Sequence, residues 1–327
     1  MTSVLVIGAG VMGHGIAQAF AQRNIRVTLM DTEQAALENA RKLITTSLKT
    51  LREEQFIDLS VSEALANIRF SRSLEDSAQD ADIAIEAITE NVAAKKLLFS
   101  QLDKLCPAKT ILCSNTSYLN IFSFVETGRP DKILITHWYT PPQLIPLIDV
   151  VGGKETSPET IAFAMELLQK IGKKPIQMKK FISGYAINRI QHAFNREIHY
   201  LMDNGYVSPE QLDEAARVGL AVRMMVLGVV GKIDFAGVQL RSRHPVGFEE
   251  VPLDYEYKSL KRLFDKGYLG VKAGRGFYDY TDRPRDEVYR ERDIRLIHML
   301  KALEALEARG PLASKSCLEE VLGREES

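Results

Sequence analysis

A chain of 327 residues, 45% hydrophobic and 26% charged, has the composition of an ordinary globular protein of about two domains. Its 42 basic and 43 acidic residues give a net charge of −1, which excludes a general attraction to nucleic acid or anionic membranes. No apolar run approaches the ~18–20 residues that span a bilayer, and the three cysteines lack any Cys-x-x-Cys spacing. We therefore expect a cytoplasmic protein with reduced thiols, no membrane or nucleic-acid partner and no metal site.

A glycine-rich turn follows the first apolar run of the chain. Residues 4–7, Val-Leu-Val-Ile, are typical of a buried strand, and a helical segment comes after the glycines. In a dinucleotide-binding turn, the first glycine allows a tight turn, the second leaves room for the pyrophosphate, and the third lets helix and strand pack closely. The phosphates then lie on free N–H groups of the helix. The predicted cofactor contacts here are Gly8, Gly10, Val11, Met12 and Gly13.

An acidic residue ends the second predicted strand. Residues 27–30 form another apolar run, and Asp31 follows directly. An acidic side chain at this point accepts hydrogen bonds from the ribose hydroxyls and repels a 2′-phosphate, so the sequence favours NAD over NADP. The alternative is a glycine turn in an α/β protein that binds a different ligand.

Strands and helices alternate through the first part of the chain. Helices at 33–54 and 58–67, the second capped by Ser60, form a helical insertion at about 33–67 between the second and third strands. The alternation predicts an α/β fold of the Rossmann type, a doubly wound and mostly parallel sheet. Further strands are predicted at 68–70, 83–87, 110–113, 133–137, 144–150 and 174–178, with helices at 92–105 and 157–171.

From Gly184 onward the strand pattern stops and helices follow one another. We therefore predict an NAD-binding domain at 1–183 and an all-helical substrate and dimerisation domain at 184–327, with a C-terminal extension after about residue 280. The last helix has the spacing of an amphipathic packing helix. The helices carry more apolar surface than one small domain buries on itself, which predicts a homodimer. The predicted helices are 184–204, 208–218, 223–240, 255–266 and 285–308.

A histidine and an aspartate lie at the ends of neighbouring predicted strands. His137 ends one strand, where open α/β sheets bind their ligands, and Asp149 ends the next apolar run after a Pro-Pro turn. If both side chains reach one face, the carboxylate holds one ring nitrogen and the imidazole acts as a general base on an alcohol. A structural histidine is the alternative.

Polar side chains with less specific roles lie nearby in the fold. Residues 114–117, Ser-Asn-Thr-Ser, follow another apolar strand, so that Asn115 and Ser117 supply amide and hydroxyl groups at the same sheet edge. The same residues equally fit a turn followed by a helix cap. Asn188 lies near the start of the helical domain, and its role depends on which way that helix faces.

The chain resembles the L-3-hydroxyacyl-CoA dehydrogenase family from residue 1 to about Tyr280. The resemblance rests on the glycine turn and on several further motifs in the family's order. It implies NAD as cofactor, a helical C-terminal domain that dimerises, and oxidation of a 3-hydroxy group to a ketone. The further motifs are Ile85-Glu-Ala-Ile-Thr-Glu-Asn91, Ser114-Asn-Thr-Ser117, Gly184-Tyr-Ala-Ile-Asn-Arg189 and Leu269-Gly-Val-Lys-Ala-Gly-Arg-Gly-Phe-Tyr278.

The resemblance also implies roles for individual residues. It makes His137 the catalytic base and places Asp149 where the family has its carboxylate partner. By the same resemblance, Ser117 and Asn188 contact the reacting oxygen and its surroundings. Residues at the nicotinamide end of the cofactor site are implied to be Glu90 and Lys95, and Asn115 is grouped with the cofactor contacts.

Three features depart from the family pattern. The family's usual His-Phe-Phe-Asn-Pro segment is His137-Trp-Tyr-Thr-Pro141 in this chain, so that Thr140 replaces the asparagine. The partner of the histidine is Asp149, which is one methylene shorter than the usual glutamate. The helical insertion carries Glu53, Glu54, Asp58 and Glu63, an acidic surface that suits a coenzyme A 3′-phosphate poorly.

These departures leave three functional hypotheses. The first is NAD-dependent oxidation of an L-3-hydroxyacyl-CoA or related 3-hydroxy acid. The second is oxidation of a free hydroxy acid without CoA, because carnitine and gulonate dehydrogenases and lambda-crystallin also resemble the Pro-rich segment after Thr140. The third is an NAD-binding structural protein with little activity, since a fold does not guarantee a function.

Overall fold

The computed structural model describes residues 2–236 and 250–310. Its strands are β1 (Val4–Ile7), β2 (Val27–Met30), β3 (Ile68–Ser71), β4 (Ile83–Glu86), β5 (Ile111–Ser114), β6 (Ile133–Trp138), β7 (Leu147–Gly152) and β8 (Lys174–Met178). They form one eight-stranded sheet in the order β3-β2-β1-β4-β5-β6-β7-β8. All neighbouring strands are parallel except β6 and β7, which are antiparallel. The predicted doubly wound, mostly parallel sheet is confirmed.

The centre of the sheet is buried along its whole length. Every residue of β1, β4 and β5 is buried, as expected for parallel strands covered on both faces. One predicted boundary was wrong, because the strand expected from residue 144 begins only at Leu147. The N–H groups of Leu144 and Ile145 both donate to the Pro141 carbonyl at 3.0 Å, which places these two residues in a turn.

Helices connect most of the strands of the sheet. The predicted cap of the third helix is confirmed: Ser60 Oγ accepts the Glu63 N–H, and the Glu63 carboxylate accepts the Ser60 N–H. A short helix capped by Ser73 escaped prediction, because five residues are too few to show helical periodicity. The helices of this region are α1 (Gly13–Ala21), α2 (Gln34–Glu53), α3 (Val61–Ala66), α4 (Leu74–Ala78), α5 (Val92–Leu105) and α6 (Pro158–Lys170).

Helices predominate in the rest of the described chain, which also contains two isolated β-bridges between residues 270 and 279. They are α7 (Tyr185–Asp203), α8 (Pro209–Ala215), α9 (Val222–Ala236), α10 (Lys258–Asp265) and α11 (Arg285–Glu307). The chain divides into two compact units between Ile190 and Gln191, inside α7. Residues 216–221 form a π-helical segment, and α9 is interrupted at Gly228, whose φ of +68° glycine tolerates. Residues 237–240 of the helix predicted at 223–240, Cys317 and the chain beyond residue 310 lie outside the described residues.

The amphipathic character predicted for the last helix is only partly present. Ile297 is fully buried, whereas Leu306 is 38% exposed. The other apolar residues spaced along the same helix are half-buried, namely Ile294, Leu296, Leu300 and Leu303. The helix therefore offers apolar side chains that its own unit does not cover completely.

Two further findings concern only the part of the chain that the structure describes. None of its helices combines the length and the apolar character that crossing a membrane requires. No group of three or more His, Cys, Asp or Glu side chains is arranged to hold a metal ion there.

Candidate active site

The antiparallel pair of β6 and β7 brings the histidine and the aspartate together. His137 lies directly opposite Asp149 in the register of the two strands. Opposite residues of an antiparallel pair project from the same face of the sheet. Both side chains are buried, with 4% of His137 and 1% of Asp149 exposed. The contact expected from the sequence is therefore present in the fold.

The imidazole of His137 has a different partner at each nitrogen. Nδ1 lies 3.1 Å from Asp149 Oδ2, and Nε2 lies 3.3 Å from Ser117 Oγ. Because a carboxylate only accepts hydrogen bonds, Nδ1 carries the proton and donates it to Asp149. Nε2 then presents its lone pair toward the Ser117 hydroxyl. The site thus offers a proton acceptor beside a hydroxyl group, on a buried and oriented ring.

Two tyrosines that the sequence analysis missed enclose the imidazole. The ring of Tyr139 lies 4.6 Å from that of His137, and the ring of Tyr185 lies 4.8 Å from it. The Tyr139 hydroxyl donates to Asp149 Oδ2 at 2.7 Å, and the Tyr185 hydroxyl donates to the Thr116 carbonyl at 2.7 Å. A signal existed for the first: Tyr139 stands two residues after His137 at a strand end, which favours the same face.

Burial keeps both phenols protonated. Burial and the hydrogen bond to Asp149 raise the pKa of Tyr139 far above its ordinary value. Burial, with the nearby charges of Glu90 and Asp149, raises the pKa of Tyr185 in the same direction. Each hydroxyl therefore acts as a hydrogen-bond donor at neutral pH.

The loop that carries Ser117 is fixed by Glu90. Glu90 Oε1 accepts the N–H groups of Ser117 at 3.2 Å and Tyr118 at 3.4 Å, and it also accepts the Thr116 hydroxyl. Burial alone would raise the pKa of Glu90, but the Thr116 hydrogen bond and the Lys95 charge outweigh it and lower that pKa. The ionised carboxylate thus anchors three consecutive residues.

A buried ion pair supports Glu90 from behind. Lys95 Nζ lies 2.5 Å from Glu86 Oε1 and 3.2 Å from Glu90 Oε2, and Ser114 Oγ donates to Glu86 Oε2 at 2.5 Å. Lys95 is 1% exposed and Glu86 is fully buried, so removing Lys95 would leave the charge of Glu86 buried and uncompensated. The sequence analysis missed Glu86. Lys95 binds both carboxylates here, and its contact with a cofactor stays a prediction.

The glycine turn has the geometry that a dinucleotide requires. Gly8 has a φ of +101°, and a Cβ there would lie 2.7 Å from the Ala87 carbonyl oxygen. A Cβ on Gly13 would lie 1.7 Å from the Gly8 carbonyl oxygen, so a side chain at either position is excluded. A Cβ on Gly10 would meet no atom within 4 Å. The structure therefore leaves open space where the sequence predicts the pyrophosphate.

The start of α1 has no side-chain cap, and among its first N–H groups that of His14 donates to the Gly10 carbonyl at 3.3 Å. No side chain caps this helix at Met12, whereas Ser60, Asn91 and Ser157 cap α3, α5 and α6. Uncapped N–H groups at a helix N-terminus bind anions such as phosphates. Val11 is 73% exposed at this turn, and Met12 Sδ accepts the Thr140 hydroxyl at 3.2 Å. These residues fit the diphosphate of NAD.

Asp31 is held rigidly beside the glycine turn. Its Oδ2 accepts the Ala9 N–H at 2.7 Å and its Oδ1 accepts the Glu33 N–H at 3.0 Å. The carboxylate therefore stands at the end of β2 with a fixed orientation. Its charge fits ribose hydroxyls and opposes a 2′-phosphate at this place.

The two candidate asparagines lie in different surroundings. Asn115 Oδ1 accepts the Trp138 N–H at 2.9 Å, so its side chain joins the ends of β5 and β6. Asn188 lies half-buried in the first turn of α7. Within residues 2–236 and 250–310 it makes no hydrogen bond to His137 or Ser117.

Two sequence models of known domains match the chain. The NAD-binding domain of 3-hydroxyacyl-CoA dehydrogenase matches residues 3–181, and the C-terminal domain of the same enzyme matches residues 184–280. Together they cover most of the chain, in the order in which they occur in that family.

Individual relatives agree with these matches. The chain is 34% identical over 285 residues to a probable 3-hydroxybutyryl-CoA dehydrogenase of Bacillus subtilis, covering 86% of this chain and 98% of the relative. It is 29% identical over 309 residues to the 5-formyl-3-hydroxy-2-methylpyridine 4-carboxylate 5-dehydrogenase of Mesorhizobium japonicum, covering 93% and 99%.

Solved structures extend the similarity to the fold. A crystal structure of a 5-formyl-3-hydroxy-2-methylpyridine 4-carboxylic acid 5-dehydrogenase, described as an NAD⁺-dependent dismutase, aligns with a TM-score of 0.79 at 27% identity, covering 93% of this chain and 99% of that one. The (S)-3-hydroxybutyryl-CoA dehydrogenase of Ralstonia eutropha aligns with a TM-score of 0.67 at 29% identity, covering 86% and 99%.

Proposed function

Because the chain belongs to the 3-hydroxyacyl-CoA dehydrogenase family, we propose that it oxidises an L-3-hydroxyacyl-CoA or a closely related 3-hydroxy acid to the 3-oxo compound. Family membership makes it an NAD-dependent oxidoreductase that acts on a CH–OH group. The observation that carries the proposal is the His137 ring, held by Asp149 at Nδ1 and facing Ser117 at Nε2. NAD, when bound, supplies the hydride acceptor.

In this proposal His137 acts as the general base. The hydroxyl proton of the substrate passes to the Nε2 lone pair while the carbon–oxygen bond gains double-bond character. In the reverse direction the imidazolium returns that proton to the carbonyl oxygen. A positioned acid–base group of this kind contributes about 10²–10⁴-fold to a rate.

Asp149 and Ser117 complete the chemistry around the ring. The Asp149 carboxylate holds the tautomer and stabilises the imidazolium that forms after proton transfer. The Ser117 hydroxyl, which faces Nε2 at 3.3 Å, is placed to donate a hydrogen bond to the substrate oxygen instead. The resemblance adds Asn188 as a second group near that oxygen.

A free hydroxy acid is the second candidate substrate, and the helical insertion favours it. The Arg52 guanidinium donates to the carbonyls of Ile57 at 3.2 Å and Asp58 at 3.0 Å, so this cation is bound within its own turn. Hydrogen bonds with Ser60 are the main cause that lowers the pKa of Glu63, and the nearby charge of Arg52 acts in the same direction. A relative named for a pyridine carboxylate covers 93% of the chain, which fits a substrate without CoA.

A steady-state comparison separates the candidates. NADH-dependent reduction of acetoacetyl-CoA is measured beside that of free 3-oxo acids, and a higher kcat/KM for the thioester supports the first candidate. A higher value for a free acid supports the second. Turnover of neither class, with NAD binding intact, would overturn the enzymatic proposal and favour a structural NAD-binding protein.

We also infer that the protein is a homodimer formed through its helical unit. Side chains of α9 expose large apolar surfaces: Val222 is 55%, Val226 52%, Val230 69% and Phe235 69% exposed. Several large apolar side chains exposed along one segment are typical of an interaction surface. Two-fold dimers are the commonest assemblies of identical chains, so a second copy is the occupant that we propose.

A further inference from the structure

Asp149 receives two hydrogen bonds on a single oxygen. The Tyr139 hydroxyl lies 2.7 Å from Oδ2, and His137 Nδ1 lies 3.1 Å from the same atom. The phenolic bond is the shorter of the two and joins residues from the end of β6 and the middle of β7. The carboxylate that orients the histidine is therefore itself oriented by a tyrosine.

The two bonds oppose each other electrostatically. A hydroxyl that donates to an ionised carboxylate draws charge toward itself and stabilises the charged form. Less of the Asp149 charge is then available to stabilise an imidazolium at His137. The same hydroxyl also fixes the carboxylate rotamer, because Oδ2 has to satisfy two donors at once.

Two departures from the family pattern meet at this hydrogen bond. The resemblance leads one to expect a phenylalanine at position 139 and a glutamate at position 149, and this chain has Tyr139 and Asp149. The side chain of Asp149 is shorter than that of glutamate, so its carboxylate reaches less far from β7. Tyr139 differs from phenylalanine by a hydroxyl group, which donates a hydrogen bond to this carboxylate. The two residues therefore form a matched pair in this chain.

We propose that Tyr139 is a positioning residue, which holds the Asp149 carboxylate against His137 and moderates its charge. The inference rests on the proposed role of His137 as the base. Charged and titratable groups near the ring are Asp149 on β7, Tyr139 at the end of β6, Tyr185 at the start of α7 and Glu90, whose charge reaches Tyr185.

The first test measures the titration of His137 by NMR in cofactor-free and substrate-free protein. The resonance is assigned with His137→Gln. In Tyr139→Phe, Asp149 loses its phenolic donor and stabilises the imidazolium more strongly, so the titration midpoint moves to higher pH by about half a unit or more. The acidic limb of the pH–rate profile for alcohol oxidation moves in the same direction.

Tyr185→Phe is the matched control. It removes a buried hydroxyl that donates over the same 2.7 Å, but to the Thr116 carbonyl and not to Asp149. We expect Tyr185→Phe to lower the free energy of unfolding without moving the titration midpoint of His137. An unchanged midpoint in folded Tyr139→Phe, or an equal shift in both variants, would overturn the proposal.

The second test uses the length of the carboxylate. Asp149→Glu extends the side chain by about 1.5 Å, the length of one carbon–carbon bond, toward a hydroxyl already at 2.7 Å. We expect this change alone to lower kcat by about 100-fold. Adding Tyr139→Phe removes the obstructing hydroxyl oxygen, so we expect kcat to recover by at least about tenfold. A double-mutant cycle measures this coupling between the two positions. Additive effects in this cycle would contradict the matched pair.

A third measurement does not depend on the folding of Tyr139→Phe. The wild-type protein is expected to show a slowly exchanging tyrosine hydroxyl proton in its NMR spectrum, and Asp149→Asn should change the chemical shift of this proton strongly. If no such proton is seen, the result counts against the hydrogen bond between Tyr139 and Asp149. Because the titrations need no substrate, a shift without turnover would reject the proposed function and leave the positioning role standing.

Discussion

The two compact units of the chain treat their apolar side chains in opposite ways. In the unit that ends at Ile190, the central strands are buried along their whole length and pack into a continuous core. In the described part of the second unit, Val251 and Ile297 are buried, whereas α9 exposes a run of valines and Phe235. The first unit buries a continuous core, and the second exposes the apolar side chains that we propose as a dimer interface.

The chemistry divides in the same way. All of the residues that we assign to base, carboxylate, hydroxyl and cofactor contacts, from Gly8 to Asn188, precede the division at Ile190. Buried polar pairs such as His137 with Asp149 need a rigid frame, because an unpaired buried group is costly. We therefore expect proton transfer to depend on the first unit, which contains the sheet (the sheet unit), and dimer formation to depend on the second, helical unit. Both expectations can be tested.

The largest effect is expected at His137. His137→Gln removes the proton acceptor without changing the glycine turn, so turnover should fall by about 100-fold or more, while NAD affinity and the molecular mass in solution stay unchanged. Steady-state kinetics, calorimetry and light scattering measure the three quantities. Full activity in this variant would contradict the assignment of the base, and a change in mass would contradict the division between the units.

The sequence predicted what depends on local patterns. The apolar runs, the glycine spacing and the Ser60 cap gave strands and helices within a few residues, because hydrophobic period and capping act over one element. The proximity of His137 to Asp149 was also predicted, but its cause was different: Asp149 lies inside β7 and not at its end, and the antiparallel register places it opposite His137. The strand β7 begins at Leu147, later than predicted, because Leu144 and Ile145 form backbone hydrogen bonds to Pro141 and lie in a turn.

Contacts between side chains of different elements escaped prediction. Glu86 and Lys95 form a buried pair only because β4 and α5 pack together, and an isolated glutamate in a strand gives no sign of its partner. Tyr185 reaches His137 from the start of α7, a contact that depends on tertiary packing. The sequence named residues that we propose to contact the ligands, and it missed Glu86, Tyr139 and Tyr185, which support them.

The second prediction concerns cofactor choice by the sheet unit. The wild-type protein should bind NAD about 100-fold more tightly than NADP, because two unit charges about 4 Å apart repel by about 1–4 kcal/mol near a protein surface. Asp31→Asn keeps an oxygen that can accept the Ala9 N–H and removes the charge, so the preference should shrink. Calorimetric titration with both nucleotides measures it. Equal affinities in the wild-type protein would reject the role of Asp31.

The third prediction tests the helical unit. Val226→Glu combined with Val230→Glu places charges on the exposed face of α9, and burying them at an interface is costly. The variant should be a monomer by light scattering at micromolar concentration, where the wild-type protein is a dimer. Leu97→Glu, on the 63% exposed side chain of α5, is the matched control and should remain a dimer. A monomeric wild-type protein would refute the proposed interface.

A buried lysine gives the smallest predicted effect, within the sheet unit. Lys173 is 6% exposed, and its Nζ donates to the carbonyls of Pro142 at 2.6 Å and Ile145 at 2.8 Å, in the turn between β6 and β7. Burial and the nearby charge of Arg23 lower the pKa of Lys173 to about 7. The side chain therefore ties the turn that follows His137 to the start of β8.

The pH dependence of the free energy of unfolding tests this lysine. Between about pH 7 and pH 10 the unfolded chain binds a proton at Lys173 that the folded chain does not, so this group makes stability rise with pH, by at most about 1.4 kcal/mol per unit. Lys173→Met should lose that rise and also lose stability, because two carbonyls are left unpaired. Lys170→Met, at the exposed end of α6, should keep the wild-type slope. Urea unfolding at several pH values measures both, and parallel curves for wild type and Lys173→Met would show that Lys173 is charged in the folded protein throughout this range.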